Sequence, residues 1–156
     1  MATTVTAANL IVSVSETCFL NGRQQGGSNS FTVASVNEIS RRIVSIPTSE
    51  IEIVKMGTAA AAGQFIESDV KYIRITNKDN AYHVTLVFKG ENDEEFAIKL
   101  DYGQSFIYNA DLSGGVVDTM VAASGAVDVS SLVDLVSINA IAHTAAVDVE
   151  IFIAST

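Results

Sequence analysis

Apolar and polar residues alternate along most of this chain, and a period of two places one set of side chains on a core face and the other on a solvated face. Ten segments carry the pattern, at 10–14, 31–36, 39–46, 50–56, 72–76, 82–88, 96–100, 105–108, 136–141 and 147–153. They are rich in Val, Ile, Thr, Phe and Tyr, which suit a pleated, half-buried surface. Short strands at this spacing, with turn residues between them, predict an all-β fold: an antiparallel β-sandwich of the jelly-roll kind. No linker and no internal repeat interrupts the pattern, so it predicts a single domain over 1–156 with a flexible segment at 1–8.

The clearest stretch runs from Tyr72 to Tyr108. Three turn clusters punctuate four strands there: Asn77-Lys78-Asp79-Asn80, Gly90-Glu91-Asn92-Asp93 and Asp101-Tyr102-Gly103-Gln104. Asn, Asp and Gly tolerate left-handed backbone or bond locally to it. The reading is an antiparallel meander with Ile73, Ile75, Val84, Leu86, Phe88, Phe96, Ile98, Leu100 and Phe106 pointing inward. Arg74, His83, Thr85, Lys99 and Ser105 form its outward set.

The C-terminal strand puts Val147, Val149, Ile151 and Ile153 on one face, which leaves Phe152 on the other beside two acids. Phe152 is therefore expected either to cover a second core or to anchor a neighbour. Residues 21–30 contain no apolar side chain and read as an exposed loop or arm. Residues 111–129 read as an irregular excursion crossing the sheet, and Ser131 to Asp134 and Ala59 to Ala62 as short helical turns.

Composition narrows the function. The 156 residues are 48% hydrophobic and 17% charged, a balance that favours a packed globule over disorder. A net charge of −9 repels phosphate-rich partners, so nucleic acid is not expected. All 9 Lys and Arg lie between Arg23 and Lys99, leaving residues 101–156 with acids and no cation. Those acids must be solvated, must bind cations, or must meet bases from another region or another chain. Cys18, the single cysteine, forms no intramolecular disulfide and has no base beside it; it reads as a small buried hydrophobe in a reducing compartment. Neither a signal peptide nor an apolar membrane span is legible, so a soluble protein made in a cytoplasm is expected.

Candidate chemistry is sparse. The two histidines, His83 and His143, stand outside any recognisable catalytic motif. No phosphate-binding loop, nucleophile elbow or dinucleotide fingerprint occurs, so no enzyme activity, cofactor or metal is expected. Glu91, Asp93, Glu94 and Glu95 form an acidic hairpin tip, read as a solvated guard against edge-to-edge aggregation. Arg41-Arg42 is the sole adjacent basic pair, and on a strand its members point to opposite faces. One of them must therefore enter the core layer, sit at an edge or reach a partner, and a contact of Arg41 or Arg42 with acids of an adjacent subunit stands beside an ordinary intrachain pair. Arg41, Arg42 and Phe152 are the interface residues the sequence nominates.

The runs Tyr72-Ile73-Arg74-Ile75-Thr76-Asn77, His83-Val84-Thr85-Leu86, Phe96-Ala97-Ile98-Lys99-Leu100 and Gly103-Gln104-Ser105-Phe106, with the tail Ala145 to Phe152, resemble small virion structural proteins of tailed bacteriophages. Capsid decoration, or cement, proteins are the type resembled. The resemblance covers about half the chain and brings no catalytic residue with it. It implies a β-rich, homo-oligomeric protein, typically a trimer, that binds the major capsid protein or other virion subunits and resides on the virion. A tail or head-fibre component, or a carbohydrate- or receptor-binding module, would use the same fold; the absence of Trp and the presence of only 4 Tyr count against a glycan platform.

Overall fold

Residues 4–120 and 132–156 are described by a computed structural model. Thirteen strands occupy them and no helix. In order they are β1 (Ala8–Ser15), β2 (Phe19–Leu20), β3 (Arg23–Gln24), β4 (Ser28–Val36), β5 (Glu38–Ile46), β6 (Ile51–Gly57), β7 (Phe65–Ile66), β8 (Val70–Asn77), β9 (Val84–Gly90), β10 (Glu95–Leu100), β11 (Ser105–Asn109), β12 (Leu135–Ala142) and β13 (Val147–Ser155).

Alternation in the sequence becomes two layers. A five-stranded sheet runs β10-β9-β12-β6-β7 and a four-stranded sheet runs β11-β8-β13-β5. All neighbours are antiparallel except β6 and β7. The inward rows of both sheets, including Ile73, Ile75, Leu86, Phe88, Ile138, Ile151 and Ile153, form one core. Phe88 is fully buried and links the layers. It stacks on Phe96 of its own sheet at 4.6 Å and meets Phe106 of the other at 5.0 Å, with planes tilted by 55°. Each such side chain contributes roughly 1.5–3 kcal/mol by leaving water, with a further increment from aromatic pairing.

The expected meander over Tyr72 to Tyr108 is not formed. β8 and β11 pair in the four-stranded sheet, whereas β9 and β10 pair in the five-stranded one, so the chain crosses between layers twice. Asn77 explains how both crossings close. Its side chain is fully buried, and Nδ2 donates to the carbonyls of Tyr82 (2.9 Å) and Leu100 (3.2 Å), while Oδ1 accepts from the Asp79 amide (2.9 Å). The Asn77 backbone also pairs with Gly103 and Gln104 at the second crossing. A residue that reads in sequence as a turn former is the corner of the sandwich.

Residues 8–36 form a β-ribbon. β1 pairs with β4 from Ala8↔Val36 to Ser15↔Ser28, and β2 and β3 continue the ladder to the tip. Asn21 and Gly22 close it with φ of 51° and 76°, the signature of a type I′ turn that matches the natural twist of a hairpin. Half of the stretch expected as a loop at 21–30 is therefore strand, and it is exposed except at Gly26. Val12, Val33 and Val36 of the ribbon pack on Tyr72 and Ala154 of the four-stranded sheet, joined by Leu10, Phe31, Ile107 and Phe152. This second, smaller core accounts for the apolar outward side of β13.

Three local expectations need correcting. Cys18 is exposed, because the ribbon carries it away from both cores. Residues 59–62 make no helical turn but bend towards β7. Val133 bridges to Met120 in place of a helical turn before β12, and Ser131 lies outside the described residues. The excursion at 111–120 is irregular as expected, held by the Asp111↔Gly115 bridge, and 121–131 lie outside the described residues.

Candidate subunit interface

Antiparallel register decides what the outer face of the four-stranded sheet presents. One cross-strand row carries Arg41, Phe152, Arg74 and Ile107, and the next Ile43, Glu150, Thr76 and Ser105. A third holds Ile39, Ala154, Tyr72 and Asn109. Side chains directly opposite across an antiparallel pair interact strongly, so each row is an energetic unit.

Glu150 is the electrostatic centre. It is nearly buried, and its Oε2 accepts from Arg41 Nε (3.1 Å) and Nη2 (2.7 Å), while Oε1 accepts from Arg74 Nη2 (2.8 Å). Arg74 Nη1 donates onward to Thr76 Oγ1, which shares a hydrogen bond with Ser105. Charge-assisted bonds of this kind are the strong ones, and the two guanidiniums, Arg41 first, hold the Glu150 carboxyl below the ordinary carboxylate range. The acid of the cation-free C-terminal third thus meets bases from 76 and 109 residues away within the same chain.

Arg42 faces the other way. It lies opposite Ile151, remains exposed, and its Nη2 donates to the Ile53 carbonyl of β6. The opposite-face reading of the Arg pair is therefore correct, and each arginine has a partner within the chain. Arg41 nevertheless keeps 66% of its side chain exposed, so its pair with Glu150 is half open to solvent.

Phe152 is half-buried. Tyr72 meets it edge-on at 6.0 Å, Phe31 lies 6.2 Å beyond, and the Arg74 guanidinium sits 5.8 Å from the Phe152 ring centre. Burial pushes the Tyr72 phenol up from its ordinary value. Of the two expectations for Phe152, the contacts fit the cover of a second core.

Sequence reasoning missed the apolar side chains that this face leaves open. Ile39 and Ile43 on β5 are 57% and 64% exposed, and β5 is an edge strand. On the ribbon, Ile11, Val14, Phe19 and Leu20 are exposed, and so is every residue from Ser13 to Ser30 except Gly26. Ile39 and Ile43 stand four apart with Arg41 between them, so alternation alone would have placed all three on one face; the missing signal was which face the ribbon covers.

The remaining candidates lie elsewhere. His83 and His143 stack at 5.0 Å where the β8–β9 and β12–β13 connections meet. The acidic tip is exposed at Glu91, Asp93 and Glu95, with Glu94 capping the Asn92 amide. Burial, reinforced by Asp134 and Glu91, pushes the Glu67 carboxyl up. Among the described residues no group of three or more His, Cys, Asp or Glu is arranged to hold a metal ion, and no helix is long and apolar enough to cross a membrane. Compared with protein-family models, curated proteins and solved structures, the chain matches none.

Proposed function

We propose that this chain is a structural protein of a tailed-phage virion, of the capsid decoration type, which stabilises a head by contacts between subunits. The observation that carries the reading is the unpartnered apolar surface of the ribbon and of β5, Ile11, Phe19, Leu20, Ile39 and Ile43 together. A two-stranded ribbon is at best marginally stable when water surrounds it. Exposed apolar patches on a folded domain mark interaction sites, and a neighbouring subunit is the partner proposed for these.

Strand order supports the same reading. The nested antiparallel pairs β5·β13, β6·β12, β8·β11 and β9·β10, linked through β8·β13 and β9·β12, support the jelly-roll reading of the sandwich. Viral capsid domains use that architecture, as lectins do, so the fold accommodates the role without assigning it. The major capsid protein and further copies of this chain are the proposed partners, and the virion surface its location.

The test pairs native mass measurement with co-sedimentation on purified phage heads. A homo-oligomer that saturates head particles and raises their resistance to heat or low salt supports the proposal. Failure to bind heads, combined with binding on a glycan array, would replace it with a carbohydrate-binding module.

A further inference from the structure

Two exposed features of this molecule are complementary to one another. The first is the ribbon tip. Leu20 lies opposite Arg23 in the β2–β3 ladder, so an apolar side chain and a cation share one face there, with Phe19 and Gln24 on the other. Leu20 is 62% exposed. The second is the strip of β5 that the ribbon base leaves uncovered. Ile39 and Ile43 point outward along it, and Asp148 lies opposite Ser45, two register positions beyond the Glu150↔Ile43 pair and on the same face. Asp148 is exposed, and none of the ion pairs among the described residues includes it or Arg23.

We infer that the tip of the ribbon of one molecule docks on the β5 strip of a second copy, with Leu20 packed on Ile43 and Arg23 reaching Asp148. This rests on the subunit-contact reading above and specifies which surfaces meet. A second copy is the occupant that the charges favour. The tip supplies one of the few cations of a chain whose net charge is −9, and the strip offers an acid from the third of the sequence that has no cation of its own. Opposite charges brought together at a partly dry contact fix register more than they add affinity, and the apolar pair supplies the attraction. The contact is heterologous, tip to strip, so repetition closes a ring where the rotation between copies divides a full turn, and a small closed ring such as a trimer would satisfy every tip and every strip. The same contact gives a packing partner to the exposed tip of a ribbon whose base already packs on the four-stranded sheet.

The experiment is sedimentation velocity on the full chain across micromolar concentrations, comparing wild type with Leu20→Asp, Arg23→Glu, Asp148→Arg and the double variant Arg23→Glu/Asp148→Arg. All of these positions are exposed, and unchanged far-ultraviolet circular dichroism checks that each variant folds. The expected result is a wild-type oligomer, a loss of self-affinity of at least tenfold in each single variant, and recovery in the charge-swapped pair. Tenfold corresponds to about 1.4 kcal/mol. An oligomer that persists unchanged in Leu20→Asp and Asp148→Arg overturns the docking while leaving the decoration role standing. A wild-type monomer at every concentration overturns it as well. If that monomer still binds heads through the ribbon, the tip seats on a capsid subunit and not on a second copy; if it binds no heads, the decoration role falls too.

Discussion

Replacing Asn77 with Ala should loosen both crossings between the sheets at once. The substitution removes two donated hydrogen bonds, to the Tyr82 and Leu100 carbonyls, and one accepted from the Asp79 amide. The bond to the Leu100 carbonyl is buried, whereas the bond to the Tyr82 carbonyl is only partly buried, so water replaces the amide more readily at Tyr82. A net bond is worth about 1 kcal/mol, and a buried acceptor left without a partner costs about 1–3 kcal/mol, so the expected loss is about 2–4 kcal/mol. With a urea dependence of about 2 kcal/mol per molar, the unfolding midpoint should fall by about 1–2 M.

Asn77→Asp sharpens the test. It keeps the shape and the acceptor but turns a donor towards two carbonyl oxygens into a carboxylate facing them. The charged form is disfavoured there, so the folded pKa of the introduced acid should rise above the ordinary aspartate value of about 3.9. Its penalty is then full above that raised value, shrinks as the pH falls, and disappears below about 3.9. Equilibrium unfolding in urea at pH 7 and again near pH 4 reads both effects. If Asn77→Asp is as stable as Asn77→Ala at pH 7, or if Asn77→Ala costs under 1 kcal/mol, the corner assigned to Asn77 is wrong.

Glu150→Gln tests the outer-face network. Because Arg41 and Arg74 lower the Glu150 pKa in the folded state, its contribution is present above the ordinary glutamate value of about 4.3 and is lost as the pH falls below it. Arg41 is largely exposed, so we discount the cost of breaking a buried pair to about 1–2 kcal/mol at pH 7, a difference that should shrink below about pH 4 in acid titrations followed by circular dichroism. Gly115 has φ of +69°, and a Cβ there would lie 2.3 Å from the Glu67 carbonyl oxygen. Gly115→Ala should therefore cost about 2 kcal/mol or more and lower the melting temperature by about 4–8 °C in calorimetry. Gly22→Ala, with positive φ but open space around it, should cost less.

Strand content was legible because period-two alternation is a local signal, and the ten segments coincide with long strands of the two sheets or the ribbon. Pairing was not. β8 and β9 read as neighbours in a meander because the chain between them is short, and nothing in Asn77-Lys78-Asp79-Asn80 says that Asn77 turns inward and ties two layers. The ribbon carried a local signal that composition hid: Asn21-Gly22 is a type I′ turn sequence, set in a polar stretch that resembles a loop. That ribbon then exposed Cys18, which small-residue statistics place inside. At the candidate interface, the divergence of Arg41 and Arg42 followed from strand geometry alone. Their partners, Glu150 and the Ile53 carbonyl, and the exposure of Ile39 and Ile43, depend on contacts between distant segments and so needed the fold.

Electron cryomicroscopy of the native particle that carries this chain tests the central claim most directly. The account predicts repeated copies of the sandwich on the outside of a phage head, with Phe19, Leu20, Ile39 and Ile43 covered by neighbouring protein. A free monomer with those four side chains in solvent, and no head particle that binds it, would contradict it.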